Sequence, residues 1–135
     1  ELRRNRRGQQ AGADMKEDFG TVQYASLLFD FYGKLLGESR QEVMSLYHED
    51  NLSLTEIAEE LGTSRQAVHY TLKKAEADLE KYEEKLGLLR DYHSNQAKAE
   101  AAVAACRSVL ESADLSTDER GKLESVIAAI TELSE

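Results

Sequence analysis

Apolar positions recur along the chain at the three- and four-residue steps of a helix, and no run alternates as a β-strand would. The period predicts a first apolar helix from about Asp18 to Leu36, carrying Val22, Leu27, Leu28, Phe31, Leu35 and Leu36 and stopped by Gly37. Tyr24, Phe29, Phe31 and Tyr32 make that helix the aromatic centre of the fold. A second helix follows through Val43, Leu46 and Tyr47. Capping boxes mark three helix starts, at Ser39 with Glu42, Ser53 with Glu56, and Ser116 with Glu119. In each the hydroxyl can accept from the N3 amide while the glutamate reaches back to the cap amide.

The segment Leu54 to Lys74, LTEIAEELGTSRQAVHYTLKK, is the most informative. Ile57, Ala58 and Leu61 give one short helix an apolar face, and Val68 and Leu72 give another to the next. Gly62 can take the left-handed backbone that ends the first helix, and Ser64 or Thr63 can cap the second. Two short helices joined by such a turn form a helix-turn-helix, a motif that places its second helix on a protruding corner. Beyond it Val68, Leu72, Ala75, Leu79, Tyr82, Leu86 and Leu89 step at heptad-like spacing, predicting one helix to Leu89 of about 27 residues, roughly 40 Å. Its C-terminal half needs a partner for Leu79, Tyr82, Leu86 and Leu89. The tail offers one, with Ala99, Val103, Cys106, Leu110 and Ala113 and then Leu123, Val126, Ile130 and Leu133 at similar spacing.

The expectation is therefore an all-α fold, a helix-turn-helix domain extended by a long helix and a C-terminal helical hairpin. Residues 1–14 read as a flexible or expression-derived leader ahead of Met15, or alternatively as an Arg-rich arm (Arg3, Arg4, Arg6, Arg7) for nucleic acid. Residues 15–93 form the motif domain, and 94–135 the hairpin, a packing or dimerisation element. A seam of this kind commonly pairs between subunits, which favours a homodimer over a bundle within one chain.

The chain carries a net charge of −9, which argues against avid, nonspecific grip on phosphate. Yet Arg65 to Lys74 holds three cations and no acid, a local positive island. With Val68 and Leu72 inward, Gln66, Tyr70, Lys73 and Lys74 lie on the outer arc, His69 at its edge and Arg65 at its exposed start. These six residues form the candidate nucleic-acid-binding site. Arg65 can fork onto guanine or phosphate, Gln66 can pair adenine, and the lysines suit backbone charge. Three cations imply a salt slope of about −0.9 × 3, or roughly a 40-fold loss between about 50 and 200 mM salt.

Chemistry elsewhere is sparse. His48, His69 and His93 are far apart and read as surface histidines, Cys106 as a buried thiol on an apolar stripe, and Glu59-Glu60 and Glu83-Glu84 as solvated carboxylates. No catalytic, cofactor-binding or metal-binding residue is assigned. No apolar run reaches the roughly 20 residues of a membrane span, and no secretory segment is visible, so a cytoplasmic location without membrane insertion is expected.

At SLTEIAEELGTSRQAVHYTLKKAEADLEKYEEKLGL the sequence resembles the YlxM family of small bacterial helix-turn-helix proteins, similar in that motif to region four of sigma factors. The preceding LLFDFYGKLLGESRQEVMSLYHEDNLSLTEIAEEL also resembles that family's opening helices, so the likeness covers roughly residues 22–92. The resemblance implies a regulatory protein without enzymatic activity, encoded beside components of the signal recognition particle and inferred to act in that pathway. DNA or signal recognition particle RNA and the particle's protein components are the partners it implies. From another class comes the alternative, a protein-interaction module docking a basic partner through Glu76, Asp78, Glu80, Glu83 and Glu84 without touching nucleic acid.

Overall fold

Six α-helices and one 3₁₀ turn account for nearly all of the described chain, and no strand occurs among the described residues. The computed structural model describes residues 12, 15–17 and 19–134. The leader expected over residues 1–14, with its four arginines, therefore lies outside the described residues except for Gly12. The helices are α1 (Thr21–Tyr32), α2 (Glu38–His48), α3 (Leu54–Leu61), α4 (Arg65–Leu86), α5 (Leu88–Ser112) and α6 (Thr117–Leu133), with the 3₁₀ turn Gly33–Leu35 after α1. The fold divides into two units, residues 1–90 and 91–135.

In the first unit α4 is the element around which the others gather, packing against α1, α2 and α3. Its inward residues Val68, Leu72, Ala75 and Leu79 are buried, and they meet Leu28 and Tyr32 of α1, Val43 and Met44 of α2, and Ile57 and Ala58 of α3 in one apolar cluster. Leu28, Tyr32, Met44, Ile57, Val68 and Leu79 each keep less than 2% of their surface. Burying six large side chains this completely contributes on the order of 1.5–3 kcal/mol apiece against the chain entropy of folding.

The apolar helix expected from Asp18 to Leu36 is shorter. It starts at Thr21, after Gly20 at φ +83, and gives way at Tyr32 to the 3₁₀ turn. Its buried face is Tyr24, Ala25, Leu28, Phe29 and Tyr32, whereas Val22, Phe31 and Leu35 are exposed. The capping box expected at Ser39 does not form. Gly37 precedes α2 as its cap and Glu38 is already helical, so Ser39 falls inside the first turn.

The predicted single helix running on to Leu89 is broken. Gly87, at φ +64, ends α4 in the left-handed conformation, and Leu88 opens α5. The seam does not wait for an outside partner. Leu79 and Leu89 are buried in the first unit's own core, the Tyr82 ring lies tilted with its centre 6.1 Å from that of Tyr32 and its hydroxyl donates to the Leu35 carbonyl, and Leu86 is half exposed. The aromatic face of α1 is what covers it, so this seam no longer argues for pairing of chains.

The second unit is the hairpin of α5 from Asp91 onward and α6. Ser116 caps α6 through its hydroxyl to the Glu119 amide, and Glu119 returns a bond to the Ser116 amide. Those bonds hold the exposed Glu119 carboxyl below its ordinary pKa. No residue of α6 is buried, and Val109, Val126 and Leu133 keep 43%, 45% and 86% of their surface. Cys106, expected to be buried, is only half covered, because two helices alone cannot enclose their shared stripe.

Candidate nucleic-acid interface

The motif is built by local chemistry at each of its boundaries. Ser53 accepts from the Glu56 amide at 3.1 Å, and the Glu56 carboxylate accepts from the Ser53 amide at 3.1 Å, so α3 starts where the capping box places it. Gly62 adopts φ +67, and the amide of Thr63 returns to the Ala58 carbonyl, closing α3. Ser64 then accepts from the Ala67 amide at 3.0 Å and opens α4. Ile57 and Ala58 beneath α3 and Val68 and Leu72 beneath α4 fix the crossing of the two helices.

With those four side chains inward, the structure places Arg65, Gln66, His69, Tyr70, Lys73 and Lys74 on the exposed surface of α4. Tyr70 keeps 63% of its surface. The Lys74 ammonium lies 5.5 Å from the Tyr70 ring centre, a cation–π pair that holds both groups on the outer arc. Lys73 reaches Glu76 one turn on, at 3.4 Å, a loose solvent-exposed contact that a phosphate could replace. Arg65 and Gln66 occupy the first turn, where the orphan amides of a helix start favour an approaching anion.

The sequence did not reveal how the acids of α4 are disposed. Glu83, read as a solvated carboxylate, is 7% exposed. It accepts from the Tyr32 hydroxyl at 2.6 Å, from the Leu89 amide at 2.9 Å and from the Arg90 amide at 3.2 Å, while the Leu88 amide donates to the Tyr32 oxygen. A glutamate near the end of α4 thus caps the opening turn of α5. Burial first, and then this bond to Glu83, push the Tyr32 phenol well above its usual pKa. Tyr24 is pushed up to about 12, again chiefly by burial, with the negative charge of Glu83, Glu80 and Glu84 adding to it.

Asp78 is engaged by Arg40 of α2, and Glu80 by Lys16 at 2.6 Å. Of the acids that the alternative docking reading named, Glu83 is buried, Asp78 and Glu80 are ion-paired but partly exposed, and Glu84 is exposed. Lys81 and Lys85, which the sequence reading passed over, are exposed on the same side of α4 as Tyr70 and Lys74.

His48 also departs from expectation. It is half-buried between Phe29 and Tyr47, its Nε2 is buried without a hydrogen-bond partner, and burial holds its pKa below the usual histidine value against the opposing pull of Glu76 and Asp30. It belongs to the packing behind the motif, not to the surface. His69 alone of the histidines belongs to the candidate face. Among the described residues no group of three or more His, Cys, Asp or Glu side chains is placed to hold a metal ion.

Comparison with known proteins points to the same segment. Residues 21–111 match the family model described as "Putative helix-turn-helix protein, YlxM / p13 like", from α1 to the end of α5 but not α6. A UPF0122 protein of Listeria innocua is 51% identical over 71 residues, which is 53% of this chain and 64% of that one. UPF0122 proteins of Bacillus cereus (strain AH187) and Bacillus thuringiensis subsp. konkukian are each 55% identical over 69 residues, 51% of this chain and 63% of theirs. The matched stretch thus spans less than two thirds of the length of these relatives. With the family model covering residues 21–111, the chain belongs to the UPF0122 family of YlxM / p13-like helix-turn-helix proteins.

Proposed function

We propose that this protein is a non-enzymatic, cytoplasmic regulatory or accessory factor that contacts nucleic acid through the outer face of α4. The observation that carries this reading is the disposition of the motif. All six candidate side chains are exposed, while Ile57, Ala58, Val68 and Leu72 behind them keep 6% or less of their surface. A rigid, positively charged corner presented this way suits entry into a groove. The resemblance to YlxM proteins adds a place for the activity, the signal recognition particle pathway, with its RNA and protein components as candidate partners. Among the described residues no helix is long and apolar enough to cross a membrane, which fits a role away from the bilayer.

Binding of labelled DNA and of signal recognition particle RNA by the wild type and by an Arg65→Ala/Lys73→Ala variant tests the reading. At about 50 mM salt the wild type binds at least one of them, and the variant loses roughly two of its phosphate contacts. A wild type that binds neither refutes direct recognition. Docking of a basic protein through the acidic side of α4 is the less supported reading, because Asp78, Glu80 and Glu83 are already engaged within the chain.

Pairing of two chains belongs to the proposal, through the hairpin of residues 91–135 and not through the seam of α4. Val109, Val126 and Leu133 are the exposed apolar positions that a second copy would cover by two-fold symmetry. Light scattering at micromolar concentration should then give twice the 15.1 kDa chain mass. A monomer mass removes this part.

A further inference from the structure

Resting on that reading and going beyond it, we propose that the phosphate-contacting face of α4 continues past the motif through Lys81 and Lys85, and that its partner is duplex DNA. By sequence α4 is electrically balanced. Arg65, Lys73, Lys74, Lys81 and Lys85 stand against Glu76, Asp78, Glu80, Glu83 and Glu84. The fold engages four of the five acids, and of these Asp78 shares the side of Lys74, Lys81 and Lys85. Glu83 is buried beneath Tyr32, Asp78 is engaged by Arg40, Glu80 by Lys16, and Glu76 by Lys73. Glu84 is the acid of α4 left exposed on the outer side.

At about 100° per residue, Tyr70, Lys74, Lys81 and Lys85 fall within about 60° of one another around the helix axis, opposite the buried Leu72 and Leu79. From Tyr70 to Lys85 this face runs about 22 Å, and from Lys74 to Lys85 about 16 Å. Duplex DNA carries one charge per about 1.7 Å of axis, so the distal half passes several phosphates. The geometry favours DNA over duplex RNA. A B-form major groove about 12 Å wide admits an α-helix, and Gln66 at the leading turn would meet base edges while Arg65 and the lysines follow the flanking strands. The A-form major groove is too narrow and deep for that entry.

The test measures binding against salt for the full chain, on a mixed-sequence duplex of about 20 base pairs and on an RNA duplex of matching sequence. The proteins are wild type, Lys81→Gln/Lys85→Gln and Arg65→Ala/Lys73→Ala. Both lysines are exposed, and circular dichroism checks that the variants fold. If five cations contact phosphate, removing two makes the slope of log K against log salt shallower by about two-fifths, whether one chain binds or two. The expected result is that loss for Lys81→Gln/Lys85→Gln, with DNA bound tighter than RNA. An unchanged slope in that variant beside a weakened Arg65→Ala/Lys73→Ala keeps the motif reading and overturns the extension. Equal or tighter binding of the RNA duplex overturns the DNA assignment, and a wild type that binds neither duplex overturns both.

Discussion

The hydroxyl of Tyr32 donates to the carboxylate of Glu83 at 2.6 Å, with both residues buried and 51 positions apart in the chain. This bond ties the end of α1 to the end of α4, and through the Leu88, Leu89 and Arg90 amides to the first turn of α5. The polar group sits in the core because each of its bonds is satisfied, which offsets the cost of removing a carboxylate from water.

Glu83→Ala leaves the Tyr32 hydroxyl and the Leu89 and Arg90 amides without their acceptor. Denaturant unfolding should show a loss of about 2–4 kcal/mol, more than for Tyr32→Phe, which orphans only the Leu88 amide and one carboxylate bond. A double-mutant cycle should give a coupling of about 1 kcal/mol or more. Additive effects would mean that the two groups do not act together.

Gly87→Ala should destabilise more than Gly62→Ala. Both glycines adopt a positive φ, which costs an L-residue roughly 1–2 kcal/mol. At Gly62 an added methyl meets open space, whereas at Gly87 it would crowd the Arg90 guanidinium, which must swing aside. Equal losses in thermal unfolding would show that the α4–α5 turn is looser than described.

His48 sets a pH dependence. Its folded-state pKa lies below the unfolded value of 6.5, so the unfolded chain takes up a proton first as the pH falls. Its contribution is complete well above pH 6.5 and declines as the pH drops below that value. Melting temperature should therefore fall between about pH 7.5 and 5.5, and His48→Leu should flatten that part of the profile. A variant with an unchanged profile would assign the effect elsewhere.

The motif itself was legible because its signals are local. Ser53, Gly62, Ser64, Ile57, Ala58, Val68 and Leu72 act within a few residues, so the positions that point outward follow from those that point in. The break at Gly87 was masked by apolar spacing that runs on to Leu89, although Gly87 is itself the residue type that ends a helix in the left-handed conformation. The fate of the seam was not legible, since only the fold brings the aromatic face of α1 onto Leu79 and Tyr82. Ser39 with Glu42 fits the capping pattern but is pre-empted by a helix that begins at Glu38. The engagement of the acids of α4 depends on Lys16, Tyr32 and Arg40, three residues remote in sequence.

The most direct test of nucleic-acid recognition by α4 is backbone amide shift mapping of the full chain titrated with a DNA duplex. The largest changes should fall on residues 64–74, continue through Lys81 and Lys85, and leave α6 little affected. Changes absent from residues 64–74, or centred on α6, would contradict the assignment of this face.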